Sequence, residues 1–169
     1  GRLIMFDPPV MPPAHIRREL GMPEETGNSR MGAQARRRRR DWPSRDDVSA
    51  AWRDKPMFAA WPEAAFNLYL DACFRATENG VTLKCAPETE ATVFERTADV
   101  DTFALAPSVP VPVLLVHAAR GQFPRAMYER LIGCYPDGHL TALDVGHLTL
   151  LEAPVATADC VRDFVPREP

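Results

Sequence analysis

The stretch LDVGHLTLLEAP, from Leu143 to Pro154, places a histidine directly after a glycine at the point where an apolar run ends. The run before it, 139–145, alternates loosely and is rich enough in branched residues to predict a β-strand. The run after it, 152–165, predicts a helix with one apolar face. That face carries Val155, Ala158, Val161, Phe164 and Val165. His147 is therefore predicted to lie in a short loop between strand and helix, where Gly146 lets the backbone turn sharply.

Two more apolar runs predict strands further upstream. Residues 2–6 precede the prolines that follow Asp7, and 111–117 form a continuous apolar run typical of a strand covered on both faces. A helix is predicted over about 124–134, between the second run and the strand at 139–145. This order of strands and helices predicts an α/β fold, the second half of a doubly wound sheet. It also leaves no room for a first half, which suggests a chain cut from something longer.

The segment between the first two strands has helix signals and few strand signals. The predicted organisation is a core strand at 1–13, a mainly helical insertion at 14–106 and the rest of the core at 107–169. Within the insertion, Ser44 followed by Asp47 resembles a capping box and predicts a helix over 45–54.

Later signals in the insertion predict two more helices. Pro62 opens a helix that we expect to end at the Asn79-Gly80 turn. A short extended piece at 81–85 follows, and Pro87 starts the next helix.

Composition limits the classes of function. The chain has 169 residues, 46% apolar and 25% charged, which is ordinary for one globular domain. The net charge of -3 gives no general attraction to nucleic acid or to acidic membranes. No apolar stretch approaches the roughly 20 residues of a bilayer span, and no signal peptide is visible. The four cysteines form no CxxC pair, so we expect reduced thiols, no metal site and a cytoplasmic location.

Several stretches together carry a resemblance to the α/β-hydrolase family. VPVLLVHAARGQF (111–123) resembles its seventh strand and following loop, and HLTALDVGHLTLLEAP (139–154) resembles its eighth strand, its histidine loop and the Glu-x-Pro start of its last helix. RRRRRDWPSRDD (36–47) and GVTLKCAPETEA (80–91) are similar to the helical cap that many members insert after the sixth strand. The implied fold is a partial doubly wound α/β-hydrolase sheet with a mainly helical cap.

The resemblance implies that His147 is the general base of a serine-type hydrolase. A loop at the carboxyl end of a strand suits that role, because the imidazole can point into the crevice above the sheet. The other interpretation is a loop histidine that only bonds its neighbours. The implied substrate is a small ester, amide or related apolar molecule, and no metal or organic cofactor is implied.

The carboxylate that would orient the histidine departs from the family pattern. The usual acid position after the seventh strand falls on Gly121, which has no side chain that could orient the imidazole. Some members carry the acid after the sixth strand, and Asp7 follows the run 2–6 at that place. Asp7 is thus either the orienting residue or a turn aspartate before Pro8, with Asp144 as a weaker third candidate.

The nucleophile is missing from the chain. It should lie in a Gly-x-Ser-x-Gly turn, and none of the four serines has that glycine frame. The loop that donates hydrogen bonds to the oxyanion would be missing as well. We therefore expect the chain to be inactive alone and to need its missing N-terminal half as a partner, in one chain or as a separate one.

Five consecutive arginines, 36–40, and a set of aromatic residues stand out in the insertion. Such a cluster can bind phosphates or an acidic partner, which supports an alternative function as a non-catalytic interaction module. The aspartates that follow and the acidic chain argue against nucleic acid and favour a solvated face of a cap helix. Trp42, Trp52 and Trp61 are candidate substrate-binding residues, although aromatics in a helical insertion also form its own core.

Overall fold

The computed structural model describes residues 1–23 and 29–165. The described strands, in chain order, are β1 (Leu3–Phe6), β2 (Asp41–Trp42), β3 (Phe74–Thr77), β4 (Gly80–Leu83), β5 (Val113–Ala118) and β6 (Gly138–Leu143). The described α-helices are α1 (Ala14–Glu19), α2 (Ser29–Arg36), α3 (Arg45–Trp52), α4 (Pro56–Ala59), α5 (Glu63–Cys73), α6 (Pro87–Glu95), α7 (Thr102–Leu105), α8 (Arg125–Ile132), α9 (Thr149–Glu152) and α10 (Pro154–Phe164). Two short 3₁₀ turns cover Thr97–Asp99 and Ala106–Ser108.

The chain divides into two compact units. The first unit combines Gly1–Thr26 with Ala98–Pro169, and the second unit is Gly27–Thr97. The second unit is shorter than the predicted insertion at 14–106. The reason is that α1 and the segment around Phe103 belong to the first unit, where Ile16 and Phe103 are buried in the apolar core.

The first unit is built on a parallel sheet in the order β1-β5-β6. Phe6 is in register with Val116, and Ala118 with Leu143, so all three strands end at the same edge of the sheet. All six residues of β5 are buried, as its unbroken apolar run predicts. Helix α8 packs on this sheet, and its buried residues Met127, Tyr128 and Leu131 form the centre of the apolar core.

The second unit contains an antiparallel sheet in the order β2-β4-β3. The prediction that a helix runs to Asn79-Gly80 is wrong in its end point, because α5 ends at Cys73 and the next four residues form β3. Residues 78–79 are the two-residue loop of a hairpin in which Thr77 pairs with Gly80. Gly80 has a φ of 132°, and a Cβ there would lie 2.1 Å from the carbonyl oxygen of Trp42. Only glycine fits this position.

The predicted cap of α3 is present. The hydroxyl oxygen of Ser44 accepts the backbone N–H of Asp47 at 3.1 Å, and the helix runs from Arg45 to Trp52. Trp52 of this helix belongs to an aromatic cluster: its ring stacks on Phe58 at 5.6 Å, and Trp61 meets Phe58 edge-on at 5.0 Å.

The longest described helices have 11 residues, and none of the described helices has the length and apolar character of a membrane span.

Candidate active site

Two of the predicted site residues meet at the carboxyl edge of the parallel sheet. The Nδ1 atom of His147 lies 2.7 Å from the Oδ2 atom of Asp7, although 140 residues separate them in the chain. Asp7 directly follows β1 and His147 lies four residues after β6, so the common end of the strands brings them together. Asp144, the third candidate acid, instead forms an ion pair with Arg120 and its side chain is 88% exposed.

Asp7 is held rigidly. Its φ is 41°, in the left-handed region that aspartate tolerates better than most side chains. Its backbone N–H donates to the carbonyl of Val116 at 2.8 Å, and its Oδ1 atom accepts the N–H of Ala118 at 3.1 Å. The side chain is fully buried. One oxygen is therefore fixed by the backbone of β5, which leaves Oδ2 aimed at the histidine.

This contact sets the tautomer of the neutral imidazole. A carboxylate oxygen only accepts hydrogen bonds, so Nδ1 of His147 is the donor. In the neutral ring, Nε2 then has a free lone pair, and no described residue forms a hydrogen bond with it. The His147 side chain is 36% exposed, and Phe123 lies edge-on at a centroid distance of 6.0 Å. The ring can thus accept a proton at Nε2 from a group outside the described contacts.

The loop that carries His147 is clamped on both sides. The Oε2 atom of Glu152 accepts the N–H of Gly146 at 2.8 Å, and its Oε1 atom pairs with the Arg120 guanidinium. Arg120 also donates to the carbonyl oxygen of Asp144 at 2.9 Å. The backbone N–H of Arg120 donates to Val145 at 3.0 Å. The sequence indicated Glu152 only as part of the Glu-x-Pro pattern at the start of the last helix, and it did not indicate Arg120 as a site residue. The position of Arg120 in the loop after β5 was the one signal that could have pointed to it.

Gly146 lies among bends in the loop after β6, and its backbone is not left-handed. A Cβ at this position would lie 2.7 Å from the Oε2 atom of Glu152. The helix predicted over 152–165 begins two residues later, at Pro154, because Glu152 ends the separate short helix α9 and Ala153 breaks the helical backbone. Residues before a proline avoid helical backbone, and Ala153 has a φ of -137° before Pro154.

The vacant acid position at Gly121 is explained by Asp7. A Cβ at Gly121 would lie 2.7 Å from the Oδ2 atom of Asp7 and 2.9 Å from the carbonyl oxygen of Ala118. The Asp7 carboxylate therefore occupies the space into which a side chain from the loop after β5 would project.

Tyr128 is a further residue near Asp7 that sequence reasoning missed. Its hydroxyl donates to the carbonyl oxygen of Pro8 at 3.0 Å. Burial and the negative charge of Asp7 raise the pKa of Tyr128 well above its usual range. Tyr128 therefore stays a neutral donor that fixes the chain beyond Asp7.

The three predicted substrate-binding tryptophans all lie in the second unit. Trp52 and Trp61 are buried in its aromatic cluster, and Trp42 is partly buried on β2. Trp52 also lines a cavity of about 390 Å³. Whether any of the three contacts a substrate stays a prediction.

The arginine cluster is not one helical face. Helix α2 ends at Arg36, which forms an ion pair with Glu95 of α6. Arg38 lies beyond the helix and forms a bond of 2.6 Å to each carboxylate oxygen of Glu90. Two of the five arginines are thus used to join α2 and its following turn to α6.

Across the described ranges, no group of three His, Cys, Asp or Glu side chains is placed to hold a metal ion.

Comparisons with known proteins identify the fold. No family model and no curated protein matches the chain. Among solved structures, it is similar to an E-2-(acetamidomethylene)succinate hydrolase with a TM-score of 0.74 and 13% identity, over 96% of this chain and 56% of that one. It is also similar to the peroxisomal alpha-beta-hydrolase Lpx1 from Saccharomyces cerevisiae, with a TM-score of 0.74 and 14% identity, over 99% of this chain and 48% of that one.

A thioesterase domain from the curacin biosynthetic pathway matches with a TM-score of 0.59 and 12% identity, over 95% of this chain and 55% of that one. The fold is therefore that of the α/β hydrolases. The chain spans about half the length of these solved structures.

Proposed function

We propose that the chain is the C-terminal portion of a serine-type α/β hydrolase that cleaves a small ester, amide or related apolar substrate. The observation that carries this proposal is the 2.7 Å hydrogen bond between Asp7 and His147 at the carboxyl edge of the sheet. A buried carboxylate that orients an imidazole whose other nitrogen is free is the arrangement that general-base catalysis needs.

In this proposal His147 moves the proton and Asp7 positions it. The Nε2 atom of His147 takes a proton from the attacking hydroxyl and later returns it to the leaving group. Asp7 keeps the proton of the neutral ring on Nδ1 and stabilises the imidazolium that forms when Nε2 is protonated. The rigid hold on Asp7 matters because an imidazole in the other tautomer would present an N–H, not a lone pair, to the nucleophile.

The rest of the machinery belongs to the half of the fold that precedes β1. None of the four serines of this chain lies in a Gly-x-Ser-x-Gly frame. A nucleophile must lie within hydrogen-bond reach of its base, and an oxyanion needs N–H donors from a separate loop. We therefore infer that an N-terminal half, in the same or another chain, supplies both. No metal or organic cofactor has a part in this chemistry.

The experiment compares the isolated chain with a protein that includes the coding sequence immediately upstream. We expect that sequence to encode a strand followed by Gly-x-Ser-x-Gly, and the longer protein to hydrolyse nitrophenyl esters. Asp7→Asn should slow it about 10³- to 10⁴-fold, since an unoriented imidazole takes the wrong tautomer. His147→Ala should abolish turnover, and added imidazole should restore part of it if the ring acts in catalysis.

The isolated chain should show no hydrolysis above its own His147→Ala variant. Clear turnover by the isolated chain that disappears in this variant would mean that a nucleophile lies within these 169 residues. Normal turnover of the longer Asp7→Asn protein, with folding intact, would return Asp7 to a turn residue and remove the main support for the proposal.

A further inference from the structure

The second unit contains an apolar chamber next to a basic one. The apolar chamber has a volume of about 390 Å³, within the range of small-molecule sites. Its walls include Phe58, Phe94 and Met57, and the Phe58 ring lies parallel to the Trp52 indole at 5.6 Å. Burial raises the pKa of Tyr69, another wall residue, to about 12, so its hydroxyl stays neutral at physiological pH.

The basic chamber shares part of this wall. It has a volume of about 310 Å³, and its lining includes Arg37, Arg38, Arg39 and Lys55 but no carboxylate. Gln34, Arg38, Trp52 and Lys55 line both spaces, so the two chambers adjoin. An apolar volume with positive charge at one side is thus built into one compact unit.

The charges of this lining are only partly neutralised. Glu90 binds Arg38 through both carboxylate oxygens, and Arg39 lies over the Trp42 ring at 4.1 Å. In contrast, no carboxylate of the described residues forms an ion pair with Arg37 or Lys55. The Lys55 ammonium is 5.2 Å from the centre of the Trp52 ring, which holds it beside the shared wall.

We propose that the adjoining chambers bind a small amphipathic carboxylate, with its acyl or aryl body in the apolar chamber and its carboxylate against Lys55 and Arg37. Arg37 and Lys55 are themselves exposed, so their attraction for a carboxylate adds to the binding of an apolar body by the aromatic walls and does not depend on burial of the charges. Arg37 of the arginine cluster, together with Lys55, would thereby select a small organic anion. The inference depends only on the second unit and not on the chemistry of Asp7 and His147.

The test measures binding to the longer protein, which includes the upstream half, by isothermal titration calorimetry and by tryptophan fluorescence, since Trp52 lines both chambers. Octanoate should bind at least about tenfold more tightly than octanol, which has the same chain length and no charge. It should also bind more tightly than butyrate, which leaves the apolar chamber partly empty. The double variant Arg37→Gln with Lys55→Gln should lose the preference for octanoate over octanol.

Arg75→Gln is the matched control, because Arg75 is an exposed cation of the same unit that lines neither chamber. It should bind octanoate like the unmodified chain, and thermal unfolding should show that all variants are folded. Equal binding of octanol and octanoate, or a preference that survives in the double variant, would overturn the proposal. So would inorganic phosphate competing as well as octanoate, because that would indicate a simple anion site without an acyl body.

Discussion

The Oδ2 atom of Asp7 lies 2.7 Å from the point that a Cβ atom of Gly121 would occupy. Asp7 follows β1 and Gly121 lies in the loop after β5, so two neighbouring strands of the parallel sheet lead to one point beside His147. One carboxylate fits there and a second does not. The absence of an acid at 121 and the presence of one at 7 are therefore two sides of the same packing constraint.

This constraint predicts that the carboxylate beside His147 can be supplied from position 121 when it is removed from position 7. Glycine accepts the φ of 41° at position 7, so Asp7→Gly should fold while losing about 10³- to 10⁴-fold in hydrolysis by the longer protein. Adding Gly121→Asp should restore activity only in part, by about tenfold: the new carboxylate enters the space that Asp7 leaves, but its Cβ would lie 2.9 Å from the carbonyl oxygen of Ala118, so the loop after β5 must shift. Steady-state kinetics with a nitrophenyl ester measures both. Gly121→Asn in the same background is the control; recovery with asparagine would show that the charge is not what matters.

The second prediction concerns the clamp on the histidine loop. Glu152→Ala leaves the N–H of Gly146 and the guanidinium of Arg120 without their shared acceptor. The free energy of unfolding should fall by about 1–3 kcal/mol, because the Glu152 side chain is only 11% exposed. Glu152→Gln keeps an oxygen for Gly146 and should cost about 1 kcal/mol or less. Urea denaturation compares the variants, and equal losses would show that the ion pair alone stabilises the loop.

The parts of this site that the sequence could predict are those set by local pattern. The glycine-histidine pair between strand and helix predicted the loop position of His147. The end of an apolar run placed Asp7 directly after a strand, and only the resemblance to the α/β hydrolases suggested it as the partner of the histidine. Their 2.7 Å contact depends on the parallel register of three strands, which no local signal specifies. The hairpin at 74–83 was missed for a related reason: β3 continues directly from α5, and its pairing with β4 decides against helix.

The ion pairs of the arginine cluster are likewise not predictable from local sequence. Its composition predicts a charged surface, but the partners that neutralise Arg36 and Arg38 lie 59 and 52 residues away on α6. Those contacts exist only because α2 packs against α6, and sequence spacing alone does not reveal them.

The third prediction concerns alkaline pH. Burial raises the pKa of Tyr69 to about 12, above its ordinary value of 10. Below pH 10 both folded and unfolded chains keep this proton, so Tyr69 adds no pH dependence. Between about pH 10 and 12 only the unfolded chain loses it, and the free energy of unfolding should fall as pH rises, by about 1–2 kcal/mol after solvent screening.

Comparison with Tyr69→Phe isolates this contribution from the other groups that titrate in the same range. The variant lacks the titrating hydroxyl, so its free energy of unfolding should not show this loss. The free energy of unfolding of the unmodified protein minus that of the variant should therefore fall by about 1–2 kcal/mol as pH rises from 10 toward 12. A constant difference, or tyrosinate absorbance that appears near pH 10 for every tyrosine, would show that Tyr69 is not buried as described.

The fourth prediction concerns association, and it follows from two features of the first unit. Strand β1 is at the edge of the described sheet, and its outer backbone groups can pair with another chain. Beside it, Phe6 and the α10 residues Ala158 and Val161 line an apolar groove of about 400 Å³. The expected core face of the last helix is therefore only partly covered, and Val155 on that helix is 71% exposed.

An exposed edge and an uncovered apolar face together favour self-association. We expect the isolated chain to be dimeric, aggregated or loosely folded by size-exclusion chromatography with light scattering, and to unfold over a broad temperature range. Leu150→Lys places a charge at the groove and should shift the chain toward monomer. Leu68→Lys is the control, since Leu68 is similarly exposed in the second unit. A stable monomer with a sharp thermal transition would contradict this expectation, because it would show that the edge and the groove need no covering half.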